Sequence, residues 1–210
     1  MIELGKLRYL PFSMENLEFG YSLEQDALTT FFSRGIAINL QGIESYKKMV
    51  EEDISTGNRK RILITYDGNE IGIGSIYENQ GMPKKAGVGL MLRRDFWNSH
   101  IGSVSTIILV EMLFYFMDYH RIEAWSAEYN RRAHRVLERA GFVLEGKLRE
   151  SLYTNGKYYS WYIFGNLRKE YYERRENILK EGMMEYYDEY RRFLEIFLKD
   201  DRSNNENSKK

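Results

Sequence analysis

The side chains available for chemistry in this 210-residue chain are unusual mainly for what is missing. No cysteine is present, which excludes a thiolate nucleophile, a thiolate metal site and disulfides, and fits a reducing cytoplasm. His100, His120 and His134 are the three histidines, and their spacing matches no metal-ligand pattern. That leaves carboxylates, tyrosines and arginines as candidates. Arg131, Arg132 and Arg135 cluster directly after Asn130, a residue type preferred at helix N-caps. Lys plus Arg and Asp plus Glu balance at 31 each, so no long-range field draws the chain toward nucleic acid or an anionic membrane. The arginine cluster is accordingly expected to be a solvated helix face.

The elements that must carry these residues follow from periodicity. Lys6 to Phe12 looks like an opening strand, and Ser13 stands ready to cap a helix near Met14. Asp26 to Gly42 lacks periodicity and is expected to be a mobile loop. Ile43, Tyr46, Val50 and Ile54 recur at helical spacing up to Gly57. The period then changes to that of strands at Arg61 to Tyr66 and Ile71 to Tyr77, joined by Asp67-Gly68-Asn69-Glu70, with a further strand from Ala86 to Leu92 after a Gly81 to Lys84 turn.

Ile101 to Tyr119 is apolar on nearly every face and predicts a buried helix; its most apolar stretch, Ile101 to Met117, is interrupted by Ser103, Ser105 and Glu111 and too short to span a bilayer comfortably. Arg121 to Ser126 predicts a strand, and Asn130 to Ala140 a helix stopped by Gly141. Phe142 to Leu152 and Tyr158 to Leu167 predict two strands around an Asn155-Gly156 turn. In that helix Ala133, Val136, Leu137 and Ala140 form the apolar stripe, and Arg131, Arg132, Arg135 and Arg139 favour solvent. Beyond Leu167 an amphipathic helix is expected to run to Leu198, with a break at Gly182, before a disordered polar tail over 199–210. The fold class is therefore α/β, a mixed central sheet flanked by helices. The opening residues carry no signal-peptide core, and a cytoplasmic location is expected.

Asn130 to Arg149 closely resembles a signature of the GNAT acetyltransferases, in particular their RimJ/RimL-like branch. Arg121-Ile122-Glu123-Ala124, Asn155-Gly156-Lys157-Tyr158 and Leu167 to Tyr171 support the likeness, which covers roughly residues 1 to 171. It implies a GNAT domain over 1–171 with a helical extension over 172–198. It also implies acetyl-CoA as cosubstrate, no metal, and direct attack by a primary amine of a protein N-terminus or a small molecule. The extension could join two copies in a homodimer or pack on its own domain. A non-catalytic CoA-binding or interaction module is the alternative reading.

By the same resemblance, Leu90, Met91 and Leu92 offer backbone groups to the pantetheine arm, and Asn130 contacts it. Asn98, Ser99, His100, Ile101, Gly102 and Ser103 form the pyrophosphate loop at a helix N-terminus. Arg135 reaches the 3′-phosphate. Departures accompany the likeness: Asn98, Ser99 and His100 stand where Gly, Lys and Gly are common. Gly87 replaces a frequent Glu, Ala133 a Ser, Leu137 a general-acid Tyr, and Ser160 a common Asp. The catalytic candidates that remain are Glu78, as a base acting through water, and Tyr153, as a proton donor.

Overall fold

The computed structural model describes residues 1–36, 38–78 and 84–196. The expected tail over 199–210, the end of the extension past 196 and all but Lys84 of the Gly81 to Lys84 turn lie outside the described residues. Eight strands form a single sheet: β1 (Ile2–Leu4), β2 (Leu7–Pro11), β3 (Arg59–Tyr66), β4 (Asn69–Glu78), β5 (Lys85–Leu92), β6 (Arg121–Ala127), β7 (Val143–Thr154) and β8 (Lys157–Leu167). Their order is β1-β2-β3-β4-β5-β6-β8-β7, and only β5 and β6 run parallel. The two expected hairpins are present. Asp67-Gly68 and Asn155-Gly156 both adopt positive φ, the geometry that lets a two-residue turn follow the strand twist.

Helices cover both faces. On one, α4 (Ile101–Glu111) is buried at every residue, because α5 (Arg131–Arg139) and α6 (Arg168–Met183) flank it against the sheet. On the other, α1 (Leu17–Gln25) and α3 (Ile43–Thr56) pack around a smaller apolar cluster of Phe12, Leu23, Tyr46, Val50, Leu63 and Ile73, and α2 (Ala27–Arg34) lies beside α1 over β5 and β6.

Two expectations require correction. Asp26 to Gly42 is not a loop throughout, since α2 occupies Ala27–Arg34. The Asp26 carboxylate caps it by accepting the Thr29 N–H at 2.9 Å, and Gly35 closes it at φ 75. The break in the C-terminal helix falls at Met184, φ 50, and not at Gly182. Gly182 instead permits close packing, for a Cβ there would collide with Ile107 of α4.

After this break a helical stretch, 187–196, folds back on the domain, and Tyr190 and Leu194 join the main core. Its anchor is Glu111, fully buried at the end of α4. The Glu111 carboxylate accepts Tyr171 Oη at 2.6 Å, Tyr190 Oη at 2.7 Å and both Arg175 Nε at 2.9 Å and Nη2 at 2.5 Å. Burial, and then the adjacent carboxylate, raise the pKa of both tyrosines, keeping them as donors.

His134 is a core residue, its ring stacked on Tyr162 at 5.1 Å and its Nε2 bonded to Ala127 O at 3.1 Å. Burial lowers its pKa, so folding favours the neutral ring. Because the unfolded chain then binds the proton more tightly, this contribution is full above the unfolded pKa of about 6.5 and fades as pH falls. Thermal melts are expected to drop between pH 7.5 and 5.5, and His134→Gln is expected to flatten that slope; parallel slopes would contradict the account.

Candidate active site

The sheet splits at its one parallel junction. β5 stays paired with β4 as far as Leu92, and β6 stays paired with β8 as far as Ala127. Between β5 and β6, however, pairing is confined to Lys85↔Arg121, Ala86↔Ile122 and Gly87↔Glu123. From Val88 and Ala124 onward the strands diverge, leaving two facing edges in mid-sheet without a ladder partner. Unpaired backbone groups are costly where water is excluded, so such a gap suits an extended ligand that supplies the missing partners. A cleft of about 510 Å³ fills it, with Leu90, Met91 and Leu92 on one wall and Ala124 and Ser126 on the other. The Ser126 hydroxyl is buried there, and no hydrogen-bond partner is found for it among the described residues.

The N-terminus of α4 opens into the same cleft. Asn98 takes the left-handed conformation, φ 59, that glycine adopts most easily, while His100 sits at φ −70, ψ −14, which any residue accepts. Replacing the two glycines common in the resembling family therefore leaves the loop's backbone path open. Among the described residues, the N–H groups of 98–103 enter no backbone hydrogen bond outside the helix ladder, and those of α4's first turn have no intrahelical acceptor. Asn98, Ser99, His100, Gly102 and Ser103 line the cleft; Ile101 points into the core. Ser99 Oγ donates to Phe96 O at 2.5 Å, holding the loop closed on itself.

Trp97 fixes this loop. Its Nε1 donates to Leu92 O at 2.9 Å, and its ring lies 4.0 Å under the Arg132 guanidinium, which also covers Phe32 at 4.7 Å. Arg132, Arg135 and Arg139 all line the cleft; Arg135 and Arg139 are exposed there, as the helix pattern predicts, whereas Arg132 is half-buried, which corrects the expectation for that residue alone. Burial, then Arg135, lowers the Arg132 pKa, as expected for a cation held beside another. Asn130 performs two structural tasks: its Oδ1 accepts the Ala133 N–H at 3.2 Å, and its Nδ2 donates to Phe32 O at 2.9 Å. With Tyr129 stacked on Phe31 at 4.7 Å and donating to Phe31 O at 3.0 Å, it pins α2 across the cleft.

A second cleft, about 480 Å³, shares Ser33, Tyr77, Val88, Gly89, Ala124 and Trp125 with the first. At the level where the split begins, Arg59, Tyr77, Gly87 and Glu123 are successive register partners across four strands, so their side-chain positions share one face. Gly87 and Gly89 leave bare backbone there, and the Tyr77 side chain spreads over it at van der Waals distance. Trp125 and Trp161 complete the walls.

Two carboxylates border this second cleft. Glu78 is held by Lys60 Nζ at 2.5 Å and by the Tyr119 hydroxyl, and these bonds lower its pKa. Burial pushes the Glu123 carboxyl up, but hydrogen bonds from Lys85 at 3.0 Å and Arg121 at 2.9 Å outweigh it and hold the pKa down. Tyr153 lies at the β7–β8 hairpin, 63% exposed and packed on Tyr158, and it lines neither cleft.

A mixed sheet opened between two parallel strands, with a helix N-terminus at the mouth of the opening, defines an acyl-CoA N-acyltransferase fold. The chain belongs to the acetyltransferase (GNAT) domain family, whose model matches residues 6–143. It is 28% identical over 108 residues to the Bacillus subtilis (strain 168) protein named "Putative ribosomal N-acetyltransferase YdaF", a stretch covering 51% of this chain and 59% of that protein. The match thus spans less than two thirds of that relative's length. A second B. subtilis protein, "SPbeta prophage-derived uncharacterized N-acetyltransferase YokL", is 25% identical over 127 residues, 60% of this chain and 71% of that one. Among solved structures, spermidine N-acetyltransferase from Vibrio cholerae in complex with CoA and spermine superposes with TM-score 0.72 at 18% identity, covering 80% of this chain and 98% of that one. This likeness establishes the shared fold.

Acetyl-CoA is the family's cosubstrate, and the residues present fit it: an open anion-ready loop, a lone buried hydroxyl, and two strand edges in need of partners. Among the described residues, no group of three or more His, Asp or Glu side chains could hold a metal ion, and no helix is long and apolar enough to cross a membrane.

Proposed function

We propose that this protein transfers an acetyl group from acetyl-CoA to a primary amine by direct attack within the split sheet. The observation that carries the reading is the divergence of β5 from β6 directly beside the unpaired N–H groups of 98–103. Those N–H groups would hold the pyrophosphate, with Arg135 and Arg139 at the mouth for the 3′-phosphate. The edge of Leu90, Met91 and Leu92, with Ser126 and Asn130 opposite, would take the pantetheine arm.

The cosubstrate supplies an activated thioester. The amine nitrogen forms the new C–N bond as the C–S bond breaks, one amine proton leaves through water to a carboxylate, and the thiolate is reprotonated from solvent. Glu78 and Glu123 both have lowered pKa values, so both are ionised at neutral pH, and both border the second cleft, where water would carry the proton to them. Backbone N–H groups on the open edge of β5 would steady the oxyanion.

The test is thiol release from acetyl-CoA with a panel of primary amines, repeated with Glu78→Gln and Glu123→Gln. Amine-dependent release is expected, with at least a tenfold loss of kcat in the variant that removes the proton acceptor. No release with any amine would leave a binding module in its place.

A further inference from the structure

Acetyl transfer as derived above does not use Arg59, yet this residue lines the larger cleft with a side chain only 12% exposed. It belongs to a buried cluster of three arginines, Arg34, Arg59 and Arg61, and two carboxylates, Glu24 and Asp53. Both carboxylates pair with the other two arginines, although Glu24 Oε2 is buried with no hydrogen-bond partner found among the described residues. Asp53 Oδ2 accepts Arg61 Nε at 2.8 Å and Nη2 at 2.6 Å, and Glu24 Oε1 accepts Arg34 at 2.7 Å with Arg61 at 3.6 Å. Arg59 approaches Asp53 only to 4.0 Å and hydrogen-bonds the Ser75 hydroxyl from Nε at 3.3 Å and Nη2 at 3.0 Å, lying 4.9 Å over the Tyr77 ring. Three cations against two anions leave one positive charge over; Arg34 and Arg59 both line the cleft, and of these Arg59 is the less compensated. Burial accordingly lowers its pKa. A buried, incompletely paired charge is expensive to keep, so a partner from outside would stabilise it.

We propose that Arg59, assisted by Ser75, is a carboxylate subsite for the acceptor, and that the acceptor is a small molecule carrying both a primary amine and a carboxylate, of the amino-acid class. This rests on the acetyl-transfer reading. The planar guanidinium fork matches a carboxylate in two parallel hydrogen bonds. Across the same face, two strands from Tyr77, Glu123 holds Lys85 and Arg121 through Oε1, which leaves its Oε2 as the acceptor an ammonium would meet before it loses its proton. Gly87 and Gly89 add no side chains of their own to the floor between them, which the Tyr77 ring covers, and Trp125 and Trp161 give an apolar wall to the remainder of the molecule. A polyamine is disfavoured here, because any cation beyond the reacting one meets Arg34 and Arg59.

The experiment measures kcat/KM for the amino acids beside the matched amines that lack the carboxylate, with spermidine included, for wild type, Arg59→Gln and Arg59→Lys. Wild type is expected to prefer the carboxylate-bearing member at least tenfold. Arg59→Gln should bring that ratio toward one, and Arg59→Lys should retain part of it, which separates lost charge from lost folding. A preference for spermidine or for the bare amines, or a ratio indifferent to Arg59, would overturn the proposal. If no amine is acetylated, the acetyl-transfer reading fails separately, and calorimetric titration of the CoA-mixed protein with the same amino acids decides the subsite. Binding weakened at least tenfold by Arg59→Gln supports it; no binding, or binding untouched by the substitution, refutes it.

Discussion

Glu111→Ala is expected to destabilise the protein by about 3–5 kcal/mol, the usual cost of removing one partner from a buried ion pair. The carboxylate accepts four hydrogen bonds, from Tyr171, Tyr190 and two nitrogens of Arg175. Its loss would leave a guanidinium and two hydroxyls facing each other, two of the three being residues at less than 2% exposure. These partners lie on α6 and on 187–196, so the damage should concentrate where the C-terminal segment docks on α4. Denaturant unfolding should show the lowered midpoint, and limited proteolysis should cleave 187–196 first. A variant that unfolds like wild type would mean the docking rests on Leu194, Met183 and their apolar neighbours alone.

His100→Glu is expected to weaken CoA binding about 5- to 150-fold. A carboxylate about 5 Å from a phosphate charge costs roughly 1–3 kcal/mol at an effective dielectric between that of water and a protein surface. The α4 N-terminus lends positive potential to this spot, and the substitution opposes it with a full charge. His100 has no side-chain capping bond to lose, so His100→Ala should bind within about threefold of wild type. Calorimetric titration with CoA distinguishes the two variants. Equal effects from Glu and Ala would show that shape rather than charge matters at this position.

Much of the frame was legible because its signals are local. Asp67-Gly68 and Asn155-Gly156 require the positive φ they adopt, and Asn130 with Gly141 brackets α5 by capping alone. Asp26 and Gly35 carried the same kind of signal for α2, hidden by the absence of a long periodic run between them. The site itself was less legible. That β5 and β6 separate after Gly87 and Glu123 is a property of two strands far apart in sequence, and no residue type encodes it. Arg132 looked like a solvated charge because the helix pattern cannot show that Trp97 and Phe32 arrive beneath it. Arg59 was missed for a related reason: the strand pattern is legible only from Arg61, so Arg59 fell between the helix end at Gly57 and that strand, whereas β3 begins at Arg59. Gly87 and Gly89, two apart on one face, leave the room that the Tyr77 ring fills.

The central claim is that CoA lies in the split between β5 and β6, and hydrogen–deuterium exchange with and without CoA tests it most directly. Slower exchange is predicted in peptides covering 88–92 and 98–103, with lesser protection at 124–130. Saturable binding that protects amides elsewhere, or leaves these unchanged, would contradict it.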